Sequence, residues 1–190
     1  MDKLKIGFAM TGSFCTFEKA IKQIEHFIDM GAEIIPIMSF NAYGIDTRFG
    51  QAETFRSRIE SLTGNKIISS IESAEPIGPK NMVDVLVVLP CTGNTLAKLA
   101  NGIYDTPVTL AVKSHLRNQK PVIIGVSSND SLSGAAKNIG AILNYKHYYF
   151  IPMTQDDPEK KPFSIVCDFE RAYETLQSAL KGKQIEPIIF

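Results

Sequence analysis

The sequence predicts an α/β fold built on a single doubly wound, parallel sheet, and three observations carry that prediction. Short aliphatic runs alternate with longer amphipathic ones, as strand–helix–strand units require. Residues 83–89 (VDVLVVL) are apolar at nearly every position, which suits a parallel strand covered on both faces. Small polar residues follow four of the apolar runs, where right-handed crossovers turn the chain back.

Residues 5–10 (KIGFAM) form the first strand, closed by the turn Thr11-Gly12-Ser13. From about 16 to 30, Phe17, Ala20, Ile21, Ile24, Phe27 and Ile28 recur at helical spacing, and Gly31 ends the helix. Residues 33–38 (EIIPIM) are the second strand, with Pro36 marking an irregular or partly unpaired stretch. A loop over 39–50, a polar helix over 51–62, a short strand over 66–71 and a turn-rich connector over 74–80 follow. The main strand, 83–89, ends at Pro90. Residues 94–117 are helical with a break at Thr106-Pro107. Residues 121–126 (PVIIGV) are the next buried strand, followed by a helix over 131–143 and a last strand over 148–151. A polar segment, TQDDPEKKP, leads to a final helix over 169–181. No internal repeat or low-complexity linker interrupts the pattern, so residues 1–190 read as one domain.

Composition limits the function. The 190 residues are 44% hydrophobic and 21% charged, enough for one substantial core. Twenty basic residues balance twenty acidic ones, so no global field draws in nucleic acid or an anionic membrane. Cys15, Cys91 and Cys167 are odd in number and widely spaced, with no metal signature, and read as reduced thiols. No signal-peptide pattern and no membrane-length apolar run is present, and the expected location is the cytoplasm. His26, His115 and His147 have no companions at triad or metal spacing and read as structural.

In a doubly wound sheet, ligands bind beyond the carboxyl ends of the strands. Four turns there are rich in hydroxyls, amides and glycine: Thr11-Gly12-Ser13, Ser39, Thr92-Gly93-Asn94-Thr95 and Ser127-Ser128-Asn129-Asp130. Any one of them could be a helix cap alone. Together they suit a phosphate, which wants free N–H groups at helix N-termini and close backbone approach. Neither the Gly-x-Gly-x-x-Gly nor the phosphate-loop motif is present, so a mononucleotide fits better than a dinucleotide or ATP.

The stretch LPCTGNTLAKLANGIYDTP (89–107) resembles the Pro-x-Ser-Ala-Asn-Thr block of the flavin-containing cysteine decarboxylase superfamily, whose fold is flavodoxin-like. Thr11-Gly12-Ser13 resembles its first flavin-phosphate turn, and Ser39 its hydroxyl residue after strand two. Within that superfamily, TGSFCTFE, SFNAYGIDTRFG, EPIGPK, TGNTLAKLANG, SSNDSL and QDDPEKKP resemble, in order, the B-subunit family of dipicolinate synthase. Two departures separate the chain from the decarboxylases. Ser70 stands where they carry a histidine, and Ser127-Ser128-Asn129-Asp130 replaces their Pro-x-Met-Asn motif.

The resemblance implies FMN held by Thr11, Gly12, Ser13, Ser39, Thr92, Gly93, Asn94, Thr95 and Ser127. It implies a dehydrogenase-like A subunit carrying NADP, and oxidation of a dihydro- or tetrahydrodipicolinate in a sporulating bacterium. It also implies a homo-oligomer, commonly a trimer, to which the apolar tail 187–190 could contribute. A dicarboxylate substrate demands cations. Arg48 is the first candidate, Lys98 the second, and Asn129 completes the catalytic set. Lys160 and Lys161 stand in a segment able to act as a lid. Cys91 reads as buried filler, and Tyr145, Tyr148, Tyr149 and Phe150 as core or ring-pocket walls. The flavin could accept hydride or be structural. A non-catalytic binding subunit and a flavin-dependent decarboxylase or prenyltransferase relative remain as alternatives.

Overall fold

The computed structural model describes residues 3–190. Its seven-stranded mixed sheet has the order β2-β1-β3-β4-β7-β6, with β5 also paired to β4. Strands β1 (Lys5–Met10), β2 (Glu33–Met38), β3 (Val85–Cys91), β4 (Val122–Ser128) and β5 (Tyr148–Phe150) pair in parallel. All seven residues of β3 are buried, as its aliphatic sequence requires. Helices α1 (Phe17–Asp29), α3 (Ala52–Thr63) and α8 (Ala172–Ala179) pack on one side of this sheet. Helices α5 (Gly93–Ala100), α6 (Pro107–Leu116) and α7 (Ala136–Leu143) pack on the other.

Five elements differ from the sequence reading. Residues 39–50 are not all loop, because Ser39 accepts a hydrogen bond from the Ala42 N–H and caps a short helix, α2 (Phe40–Gly44). Five residues show no period, so this helix leaves no pattern to read. The strand expected over 66–71 reduces to a bridge between Ile37 and Ile68, and Ile71–Ala74 is a helical turn, α4. Pro90 does not end the main strand. The strand bulges and resumes pairing at Cys91, opposite Val126. Helix α7 begins at Ala136 because Ser131 and Ser133 spend their hydroxyls on the Ser128 and Asp130 carbonyls. The polar segment after β5 is no free lid. It builds the hairpin β6 (Met153–Asp157) and β7 (Lys161–Cys167), and β7 pairs antiparallel with the end of β4.

Pro36 sits in regular register opposite Phe8. The Ile68 N–H donates to the Pro36 carbonyl from the outer edge, so the missing proline N–H faces away from β1 and breaks no ladder bond.

Candidate functional site

The chain runs from β1 out to β2 and returns on the other side of β1 as β3, so the sheet's switch point lies between the ends of β1 and β3. Thr11 is fixed there. Its N–H and hydroxyl both donate to the Pro90 carbonyl, at 3.2 and 2.8 Å, and its hydroxyl accepts the Thr92 N–H at 3.0 Å. Thr11 is 1% exposed, so it joins the two turns and is not itself open to a ligand.

The turns converge across the sheet edge. The Ser13 and Ser127 hydroxyls lie 2.8 Å apart. A Cβ placed on Gly12 would stand 3.7 Å from the Asn41 Cβ, so the turn after β1 faces the first turn of α2. Among the described residues, the N–H groups of Gly12, Phe14, Phe40 and Asn41 have no hydrogen-bond partner. Two free-ended backbone turns facing each other, with the Ser13 hydroxyl between β1 and β4, suit an anion.

Thr92 caps α5 by accepting the Thr95 N–H, and its hydroxyl also contacts that of Thr95 at 3.2 Å. Gly93 is buried and Asn94 is exposed. A Cβ on Gly93 would meet Asp130 Oδ1 at 2.6 Å and Ser128 Oγ at 2.7 Å. The Asp130 carboxylate, which accepts the Ser128 hydroxyl at 2.6 Å, therefore lies against the first residue of α5. That negative charge disfavours a phosphate at this helix end. The sequence reading gives Asp130 no role of its own. The glycine at the start of α5 and the Ser-x-Asp spacing are the signals that point to it.

The other candidates are dispersed. Arg48 is exposed in the Thr47–Gly50 turn, with its guanidinium 4.9 Å from the Phe49 ring and no ion pair among the described residues. Lys98 is engaged by Asp105 at 2.5 and 2.7 Å, and this bond holds the Asp105 carboxyl below its ordinary range. Asn129 is exposed beside Asp130. Ser70 caps α4 in a reciprocal capping box with Ser73. Lys161 pairs with Asp156 at 2.6 Å inside the hairpin. Burial pushes the Cys91 and Cys167 thiols up, far from the thiolate form. Tyr148 is half-buried and its phenol is pushed up by desolvation, while the Tyr145 hydroxyl donates to the Ala100 carbonyl. No group of three or more metal-ligating side chains occurs among the described residues. No helix of those residues is long and apolar enough to cross a membrane.

Two hollows lie apart from the Gly12–Ser39 turns. One, of about 380 Å³, lies at the opposite end of β1, between α1 and α8. The other, of about 460 Å³, lies between α5 and α7.

Comparison with known proteins bears on this geometry. The B subunit of dipicolinate synthase from Bacillus subtilis (strain 168) is 43% identical over 185 residues, covering 97% of this chain and 92% of that protein. The crystal structure of the corresponding B subunit from Bacillus halodurans C superimposes with a TM-score of 0.90 at 38% identity, covering 100% of this chain and 98% of that one. DmrB of Burkholderia xenovorans, crystallised with FMN, shares the fold at a TM-score of 0.70 and 17% identity, covering 94% and 96% of the two chains. The model of the family described as Flavoprotein matches residues 1–177, and with these relatives it places the chain in the flavoprotein family, among homologues of the dipicolinate synthase B subunit.

Proposed function

We propose that this chain is the FMN-binding B subunit of a dipicolinate synthase. In this reading it works with a dehydrogenase-like A subunit carrying NADP and oxidises dihydro- or tetrahydrodipicolinate to pyridine-2,6-dicarboxylate in the cytoplasm of a sporulating bacterium. The observation that carries the reading is the convergence of four turns at one sheet edge in a chain 43% identical to such a protein.

Gly12, Ser13 and Ser39 would hold the phosphate, because the unpartnered N–H groups and the Ser13 hydroxyl gather there. Thr92 to Thr95 and Ser127 would border the ring, because Asp130 repels a phosphate from the α5 end. Thr11 fixes the relation between the two turns. When bound, FMN supplies hydride-accepting chemistry. Among the described residues Arg48 has no carboxylate partner, and it is the better of the two cations for a substrate carboxylate. Asn129 would add an exposed amide donor for the same substrate. Phe40, next to Ser39, and Phe49, next to Arg48, are exposed, and covering them in a homo-oligomer would help enclose the site.

A second reading, a non-catalytic binding subunit, draws support from Lys98. The Asp105 carboxylate neutralises it and leaves the α5 helix without an open cation.

The test has two stages. The visible spectrum of the purified protein is recorded, then repeated after FMN addition and desalting. Retained flavin bands support the cradle, and their absence at high FMN removes the cofactor assignment. Mixing with the A subunit, NADP and the dihydro substrate follows. Full activity from a flavin-free chain selects the non-catalytic reading.

A further inference from the structure

The hollow between α5 and α7 is bordered by Asn94, Asn101, Asp130, Lys137 and Asn138, with Gly93 at its edge. Three features of it are not explained by packing. Asn138 is only 6% exposed, yet among the described residues its amide makes no hydrogen bond. Neither of its polar atoms is sealed from solvent, so the amide opens into the hollow it borders. Within the protein that amide on α7, beside the apolar Ile139 and Ile142, has only the hollow to turn to for a partner.

The second feature is Asp130. Its carboxylate is held at the rim by the Ser128 hydroxyl and lies over two residues without side chains, 2.6 Å from a Cβ position on Gly93 and 3.7 Å from one on Gly134. The third is Lys137. Among the described residues it forms no ion pair, whereas Lys98 and Lys161 are both paired. One cation, one anion and three amides around a single hollow form a donor and acceptor set for a small zwitterion.

The geometry points to a subsite for an organic acid that carries a carboxylate next to a nitrogen bearing a proton. Lys137 takes the carboxylate, Asp130 takes the N–H, and the Asn138 amide gains the partner it lacks. This inference rests on the function proposed above, whose substrate holds its one ring nitrogen, an imine, between two carboxylate-bearing carbons; Asp130 faces that nitrogen in its protonated, iminium form. It adds a discrimination. Asp130 favours a ring nitrogen with a proton and rejects an aromatic nitrogen, whose lone pair faces the carboxylate.

The probes are piperidine-2,6-dicarboxylate, with a protonated nitrogen, and pyridine-2,6-dicarboxylate, without one. Titration calorimetry is run on the full chain with and without FMN, and FMN retention is read on the same samples. Lys137→Gln should weaken both diacids by about tenfold or more. Asp130→Asn should weaken the piperidine acid alone. Both positions are exposed, so an unchanged melting temperature accompanies either effect. Absence of diacid binding, or affinities within about twofold in both variants, overturns the subsite. If FMN is retained in that case, the proposed function stands; if FMN is lost from the wild type, the failure lies with that function.

Discussion

The Ser13 and Ser127 hydroxyls touch at 2.8 Å although strand β3 separates β1 from β4. The turns must therefore curl over the end of β3, and its bulge before Cys91 opens the pairing with β4 at that point. The contact joins the first and fourth polar turns into one edge. One bond of this kind stabilises the fold by about 1 kcal/mol.

Ser13→Ala should weaken FMN retention by about tenfold, because the hydroxyl and the free N–H groups of its turn act on one anion. Ser127→Ala should weaken it less, because it removes the outer partner of the pair. Fluorescence titration with FMN compares the two. Equal and negligible effects would separate the serine pair from the cofactor.

Gly78 tests the other side of the molecule. Its N–H donates to the Ser114 hydroxyl at 2.9 Å, and a Cβ there would stand 1.9 Å from the Ser114 carbonyl oxygen. That oxygen belongs to the backbone of α6 and cannot step aside. Gly78→Ala should destabilise the protein by about 3 kcal/mol, read as a lower urea midpoint, with FMN affinity per folded molecule unchanged. The stretch EPIGPK is thus explained by helix packing and not by a ligand.

The parallel half of the sheet is legible in the sequence because its strands are buried on both faces and read as unbroken aliphatic runs. The hairpin is not, because β6 (MTQDD) is polar, the first three residues of β7 are exposed, and the pairing of β7 with β4 is a tertiary fact. Motif matching finds the four turns but cannot divide labour within them. Thr11 resembles Ser13 in the sequence, yet its hydroxyl is spent on Pro90 and Thr92. Lys98 reads as an open cation, but Asp105, seven residues on, folds back onto it. Asp130 gains its place through the approach to Gly93, a long-range contact that the glycine and the Ser-x-Asp spacing hint at only once the two turns are known to meet.

Arg48 and Lys98 are separable. Arg48→Ala should lower turnover in the mixture with the A subunit by at least about tenfold and leave FMN bound. Lys98→Ala breaks an exposed pair and should change stability by less than about 1 kcal/mol. If Lys98→Ala costs more activity than Arg48→Ala, the ranking of the two cations is reversed.

His115 gives the protein a defined acid sensitivity. It is fully buried, its Nε2 lies 3.1 Å from the Pro121 carbonyl, and its Nδ1 has no partner among the described residues. The carbonyl can only accept, so Nε2 carries the proton and the ring is neutral. Burial pushes the pKa down to about 4; Lys120 adds to the depression, while the Pro121 bond and Asp84 oppose it. Well above about pH 6.5 the ring is neutral in both folded and unfolded chains and contributes no pH dependence. As pH falls toward 4 the unfolded chain takes up the proton first, so stability declines across this window, and below it the loss is constant. Between about pH 7.5 and about pH 5 the decline from this one group is about 2 kcal/mol. His115→Gln keeps a neutral donor for Pro121 and should remove that share of the slope, at some cost in stability at neutral pH. Urea unfolding of both proteins at the two pH values reads the difference directly, and equal slopes would mean that the ring is protonated within the fold.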